Sequence, residues 1–187
     1  CLDVDAVEAA ITEKTKAVIG VHIYGQPYDP RLLKLCRERG IYLIEDAAQA
    51  HGASQVMLDG SELVAGSMGD LGCFSFFPSK NMAVGGEGGM LTTTVDELTD
   101  AVSLVVNHGR SPSLESMQLG SNLRMSEVSA AIGTVQLSHL DSWVERRREI
   151  AEIYLQAFAD HPLISTPKIR PGAKHAWHQY CLSTEYP

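Results

Sequence analysis

The alternation of segment types near the start of the chain fixes its fold class. Lys16 to Ile23 is apolar and β-branched, and reads as a central strand ending in a loop at Tyr24-Gly25-Gln26-Pro27. Asp29 to Arg39 puts Leu32, Leu33, Leu35 and Cys36 on one side, with Asp29 and Pro30 at its start and Gly40 after its end, which predicts a helix. Ile41-Tyr42-Leu43-Ile44 then reads as a short buried strand running to residue 45. Strand, helix and strand in this succession demand a parallel sheet with a right-handed crossover. An α/β protein follows.

The flanking segments fit that class. Asp3 to Ile11 spaces Val4, Val7, Ala10 and Ile11 as a short helix behind a capping aspartate. Asp59-Gly60 lies between short runs and predicts an antiparallel hairpin. Leu71 to Phe77 and Gly89 to Thr94 read as strands, and Asp96 to Asn107 as a helix with Leu98, Ala101, Val102, Val105 and Val106 on its apolar side. A polar loop from His108 to Gly120 is broken by Ser111-Pro112-Ser113. Ser126 to Leu140 is helical and Asp141 to Phe158 continues it, up to Asp160-His161-Pro162. Lys174 to Ser183 reads as a strand. With 44% hydrophobic and 20% charged residues, the chain can build a core.

Charge excludes some partners. A formal charge of −8 argues against nucleic acid or an anionic membrane, which are held by clustered Lys and Arg. Arg146-Arg147-Arg148 lies between Glu145 and Glu149, as on a solvated helix face. The cysteines at 1, 36, 73 and 181 form no C-x-x-C pair and read as reduced thiols. No run is apolar and long enough to cross a bilayer, the first residues lack signal-peptide character, and a cytoplasmic location is expected. No metal site is expected either. His175 and His178 are three apart, and in a strand such residues face opposite sides. His22, near a strand end, reads as structural rather than catalytic.

Two stretches carry chemistry. Phe74-Ser75-Phe76-Phe77-Pro78-Ser79-Lys80-Asn81 sets an amine in apolar company, and desolvation lowers the pKa of a lysine toward the range where it attacks carbonyls. Gly85-Gly86-Glu87-Gly88-Gly89 follows, able to fold tightly around a bulky group. It lacks the G-x-G-x-x-G spacing of a dinucleotide loop and leads into a strand, so a Rossmann-type site is disfavoured. By itself the stretch also fits a surface lysine followed by a flexible turn. The second stretch is Glu45-Asp46-Ala47-Ala48-Gln49-Ala50-His51-Gly52 at the end of a strand, where open α/β sheets bind ligands. Asp46 and Lys80 together point to a pyridoxal-phosphate site, with the aspartate on the pyridinium nitrogen and the lysine on the aldehyde.

At this point the chain resembles the DegT/DnrJ/StrS sugar aminotransferases, within the fold-type-I pyridoxal-phosphate enzymes. Five pieces match in order: Val21-His22-Ile23-Tyr24-Gly25-Gln26-Pro27, Glu45 to Gly52, Ser75-Phe76-Phe77-Pro78-Ser79-Lys80-Asn81, Gly86-Glu87-Gly88-Gly89-Met90, and Gly120-Ser121-Asn122-Leu123-Arg124-Met125. The resemblance implies a three-layer α/β/α large domain of aspartate aminotransferase type over 1–142, its first part missing. The linking helix and the beginning of a smaller α+β C-terminal domain would occupy 143–187. It implies Lys80 as the Schiff-base lysine and Asp46 as the ring-nitrogen partner. Ala48 would pack on the ring, Gln49 would lie beside the ring oxygen and Ser75 would bind the phosphate. Asn122 would reach the phosphate of a partner's site in a homodimer, or, read locally, Ser121 and Asn122 simply open the next helix.

The implied activity is amino-group transfer from glutamate or glutamine to a nucleotide-linked keto sugar, in amino-sugar biosynthesis. Some relatives carry histidine in place of the lysine and dehydrate instead, so Lys80 favours the aminotransferase branch. Family members carry further segments before and after the part that matches. The chain is therefore expected to be a fragment, or a truncated relative that needs a complementing polypeptide. A non-catalytic homologue or subunit of structural or regulatory role is the competing expectation. Whether Arg124, His51 or His108 touches substrate stays open.

Overall fold

A computed structural model describes residues 1–113 and 115–185, so Leu114, Tyr186 and Pro187 lie outside the described residues. The Asp3 carboxylate accepts the Ala6 N–H at 3.0 Å and starts α1 (Val4–Ala10). β1 (Ala17–Val21), α2 (Arg31–Arg39) and β2 (Tyr42–Asp46) give the predicted strand, helix and strand. β1 and β2 run parallel, with Val21 opposite Asp46. α2 stops at Gly40, whose φ of 63° is the left-handed conformation that closes helix ends.

Side chains alternate across the sheet as a pleat requires. Val18, Gly20, Leu43 and Glu45 are buried, while Ala17, Ile19 and Tyr42 on the other face are exposed. α2 packs on the buried face, and it packs closely. A Cβ on Gly20 would lie 2.8 Å from a ring carbon of Tyr28 and 3.2 Å from a Leu32 methyl. The core continues through Leu35, Cys36, Met68, Phe76, Val84 and Val144.

β3 (Ser54–Val56) and β4 (Glu62–Val64) form the hairpin predicted around Asp59-Gly60. β5 (Leu71–Ser75) returns beside β2 in parallel, Cys73 opposite Asp46, and β6 (Gly89–Thr92) pairs antiparallel with β5, Gly89 opposite Ser75. The sheet order is therefore β1-β2-β5-β6. Val102 and Val106 of α3 (Asp96–Val106) line one groove with Cys73, Phe74 and Leu91. α4 (Glu127–Ala157) begins at Ser126, whose hydroxyl accepts the Ser129 N–H at 3.1 Å, and runs unbroken. Its Val144 touches Gly52 and its Gly133 lies against Val84. No helix among the described residues is long and apolar enough to cross a membrane.

The strand expected over Lys174 to Ser183 does not form. β7 (Ile164–Ser165), β8 (Ala173–Lys174) and β9 (Ser183–Thr184) are two-residue pieces, β8 pairing with β3 and β7 with β9. Between β8 and β9 the chain turns, because the Trp177 N–H donates to His175 Nδ1 at 2.9 Å and Trp177 takes φ 47°. The backbone amides freed by this turn pair elsewhere: Ala176 N–H with the Gly25 carbonyl and His178 N–H with the Tyr24 carbonyl, each at 2.9 Å.

Candidate functional site

The site is built where β1, β2 and β5 end side by side. Glu45 faces the core there, fully buried with four donors converging on it. His22 Nε2 and the Gly66 N–H approach Oε2 at 2.8 and 2.7 Å, and the Met68 and Gly69 N–H groups approach Oε1 at 2.7 Å each. His22 Nδ1 accepts the Tyr28 N–H at 3.1 Å, so its proton sits on Nε2 and is donated to Glu45. The histidine is structural, as expected. Asp46, next to Glu45 in sequence, points to the other face of the sheet.

Asp46 is half-buried, and it makes no ion pair among the described residues. One oxygen, Oδ1, accepts the Ala48 N–H at 3.0 Å. Burial raises the pKa of the Cys73 thiol, and the nearby negative charges of Asp46 and Glu45 add to that rise. The turn after β2 is pinned by the Ala47 N–H on the Cys73 carbonyl at 2.8 Å and the Ala50 N–H on the Ala47 carbonyl at 2.9 Å. Ala47 and Ala50 are buried and Ala48 is half-buried. Gln49 Oε1 accepts the Tyr24 N–H at 2.7 Å, which fixes the orientation of the amide. Its Nε2 has no partner among the described residues.

Ser75 ends β5. Its Oγ accepts the Phe77 N–H at 3.3 Å, leaving the hydroxyl proton unassigned. Lys80 follows on a turn closed by its N–H on the Phe77 carbonyl at 2.9 Å, with the side chain half-buried. Two histidines feel its charge. His51 is 3% exposed, its ring lies 5.3 and 5.8 Å from those of Phe74 and Phe76, and neither ring nitrogen has a hydrogen-bond partner among the described residues. Burial pushes its pKa down to about 4, helped by His178 and Lys80, while the Ser75 carbonyl works in the opposite direction. His178 is lowered for the same reasons, first burial and then the cations Lys80 and Arg147.

Asp46 thus ends β2 with Ala48 and Gln49 in the turn after it, and Ser75 ends the adjacent strand with Lys80 in the turn beyond it. Asn122 stands apart from them. It is exposed, bridges to Asn107 and accepts the Arg124 N–H at 3.4 Å, while the Arg124 side chain bonds Asn107. In the glycine loop only Gly85 adopts a left-handed φ, 77°. Gly88 is needed for closeness instead, since a Cβ there would lie 2.7 Å from Val84 and 3.0 Å from the Met125 sulfur. Sequence reasoning missed Glu45, Asn81 and His178. Asn81 had only its place beside Lys80 as a signal, and its role depends on residues almost a hundred positions away.

The model of the DegT/DnrJ/EryC1/StrS aminotransferase family matches residues 1–186. A pleiotropic regulatory protein of Geobacillus stearothermophilus is 40% identical over 97% of this chain and 48% of its own length. The dTDP-3-amino-3,4,6-trideoxy-alpha-D-glucose transaminase of Streptomyces venezuelae is 38% identical over 98% of this chain and 48% of its own. Among solved structures, S. venezuelae DesV in complex with a ketimine intermediate superposes with a TM-score of 0.90 at 37% identity, covering 99% of this chain and 49% of that one. The chain spans about half the length of the curated relatives it matches.

Proposed function

Because the chain belongs to the DegT/DnrJ/EryC1/StrS aminotransferase family, whose members depend on pyridoxal phosphate, we propose that it forms part of an aminotransferase acting on a nucleotide-linked keto sugar. The residues present fit the cofactor by the polarity of what each has left over. Asp46 offers an unpaired carboxylate, a partner for a protonated ring nitrogen. Gln49 has its oxygen committed to Tyr24, so it presents only donors, which suit the ring oxygen. Ser75 keeps a hydroxyl proton for a phosphate oxygen, and the half-buried Ala48 leaves room for a flat ring. Lys80 supplies the amine, as the Schiff-base lysine. That matched set of leftover groups on two neighbouring strand ends carries the reading.

Bound pyridoxal phosphate supplies an electron sink that makes a proton next to the attached nitrogen acidic. The chain's own residues do the rest. Asp46 would hold the proton on the ring nitrogen, and Lys80 Nζ would take up and return the acidic proton, acting in turn as base and acid. The amino donor is glutamate or glutamine, and the working unit is a cytoplasmic homodimer in which Asn122 reaches the partner's phosphate. The exposure of Asn122 supports that last role. The large lobe ends at 142 and the second begins at 143, within α4.

Adding pyridoxal phosphate to the intact polypeptide that carries these residues is expected to give a visible absorbance band that Lys80→Ala abolishes. No band, or a band unchanged in that variant, overturns the proposal. Thermal unfolding that ignores the cofactor while the chain still dimerises would instead support the non-catalytic reading, which the regulatory relative favours.

A further inference from the structure

The segment 175–178 docks onto the loop that carries Lys80 through polar contacts rather than apolar packing alone. Asn81 is 5% exposed. Its Nδ2 donates to the Ala176 carbonyl at 3.0 Å, and its Oδ1 lies 3.1 Å from His178 Nδ1. A backbone carbonyl only accepts, so the amide orientation is forced. An amide oxygen also only accepts. The proton of neutral His178 is therefore on Nδ1, the less common form in water, and Nε2 keeps its lone pair.

The docking is closed by backbone. Ala176 donates to Gly25, His178 donates to Tyr24, and the Tyr24 N–H ends on Gln49 Oε1. Side chains are kept out of this contact, since a Cβ on Gly25 would lie 2.9 Å from the Trp177 nitrogen. Tyr24 and Trp177 both hold left-handed backbone conformations, φ 59° and 47°. Such conformations in residues with a Cβ persist only where the surroundings over-determine them, and they cluster at functional sites. One circuit thus runs from Gln49 through 24–25 and 176–178 to Asn81, next to Lys80.

We propose that Asn81 and His178 are positioning residues for Lys80, the Asn81 amide fixing the His178 ring and placing the proton of its neutral form on Nδ1, beside the turn that carries the amine. The inference rests on the reading of Lys80 as the reactive amine. The titratable groups around His178 are Lys80 and His51 on the sheet side, Arg147 and Tyr154 on α4, and Tyr180 on its own segment. Two of these neighbours are cations. With His51 and His178 both neutral, Lys80 is the group in the His51–His178–Lys80 cluster whose charge can change during the reaction.

The test combines two measurements on the intact polypeptide. In histidine-selective ¹⁵N NMR at neutral pH, His178 of the wild type is expected to carry its proton on Nδ1, and Asn81→Ala to shift it mostly to Nε2. With pyridoxal phosphate added, the pH midpoint of the Lys80-dependent absorbance is expected to move by about half a unit, or about threefold in proton affinity, in Asn81→Ala and His178→Phe. His178→Asn, whose amide can present a donor where Nδ1–H stands, is expected to keep the wild-type midpoint. Wild-type His178 protonated on Nε2, or a midpoint the same in every variant, overturns the inference and leaves the Lys80 reading intact. The wild-type tautomer needs no variant to fold. Absence of any Lys80-dependent band in the wild type overturns both.

Discussion

Removing the Glu45 carboxylate should unfold much of what presents the site, although Glu45 itself takes no part in chemistry. Its two oxygens accept from His22 Nε2 and from the amides of Gly66, Met68 and Gly69, at 2.7 to 2.8 Å, and both Glu45 and His22 are fully buried. In Glu45→Ala three buried donors and one partly buried donor lose their acceptor. One unmet buried donor costs about 1–3 kcal/mol, but the four do not add, because water can enter the vacated space and the 66–69 loop can relax. Because His22 is neutral, no bare charge is left behind, and several unmet donors combining less than additively set the expected loss at about 3–5 kcal/mol. Glu45→Gln keeps the shape and one acceptor oxygen but turns an NH₂ toward donors, so a loss of about 2–3 kcal/mol is expected. Urea unfolding measures both. The midpoint should fall while the slope stays constant, the sign that stability rather than compactness has changed. A loss below about 1 kcal/mol for Glu45→Ala would falsify the account, since that is what an ordinary point substitution does.

Acid should weaken the fold through its buried histidines. His51 titrates at about 4 in the folded chain against 6.5 ordinarily, so between these values the unfolded chain binds more protons and stability rises with pH. The contribution is complete above pH 6.5 and lost as pH falls toward 4, and about 3 kcal/mol is at stake for His51. His51→Asn should flatten the profile of unfolding free energy in that window; an unaltered slope refutes the assignment. In the glycine loop, Gly88→Ala should cost about 1–3 kcal/mol because of the 2.7 Å approach to Val84. Gly86→Ala, with nothing within 4 Å of its Cβ, should stay within about 0.5 kcal/mol. Equal melting temperatures for the two variants would contradict the packing described.

What could be read in advance was what local patterns determine. The β-branched run before Tyr24, the leucine face of α2 and Asp59-Gly60 each specify their own conformation, and each element formed within a few residues of its predicted bounds. Segment 174–183 failed because its alternation looks like a strand while its backbone partners are the carbonyls of Tyr24 and Gly25, far away in sequence. For the same reason Asn81 and His178 were invisible: each is an ordinary polar residue until the other is placed beside it. That Asp46 ends one strand and Lys80 follows the end of its parallel neighbour could be anticipated, because the strand pattern alone sets those positions.

Glu45 and Asp46 show why neighbouring carboxylates cannot be ranked by type. Both are acids at one strand end, and composition treats them alike. The pleat separates them, sending successive side chains to opposite faces. A slip of β2 by one residue would bury the Asp46 carboxylate among the donors from the 66–69 loop and turn Glu45 out toward the site. That slip is opposed by the burial of Leu43 on the same face and by the four hydrogen bonds that Glu45 collects, because an aspartate in its place is one methylene too short to meet them all. The orientation of Asp46 therefore depends on the acid before it, and, with Asp46 in its proposed role, a defect in the buried one should also lower cofactor affinity.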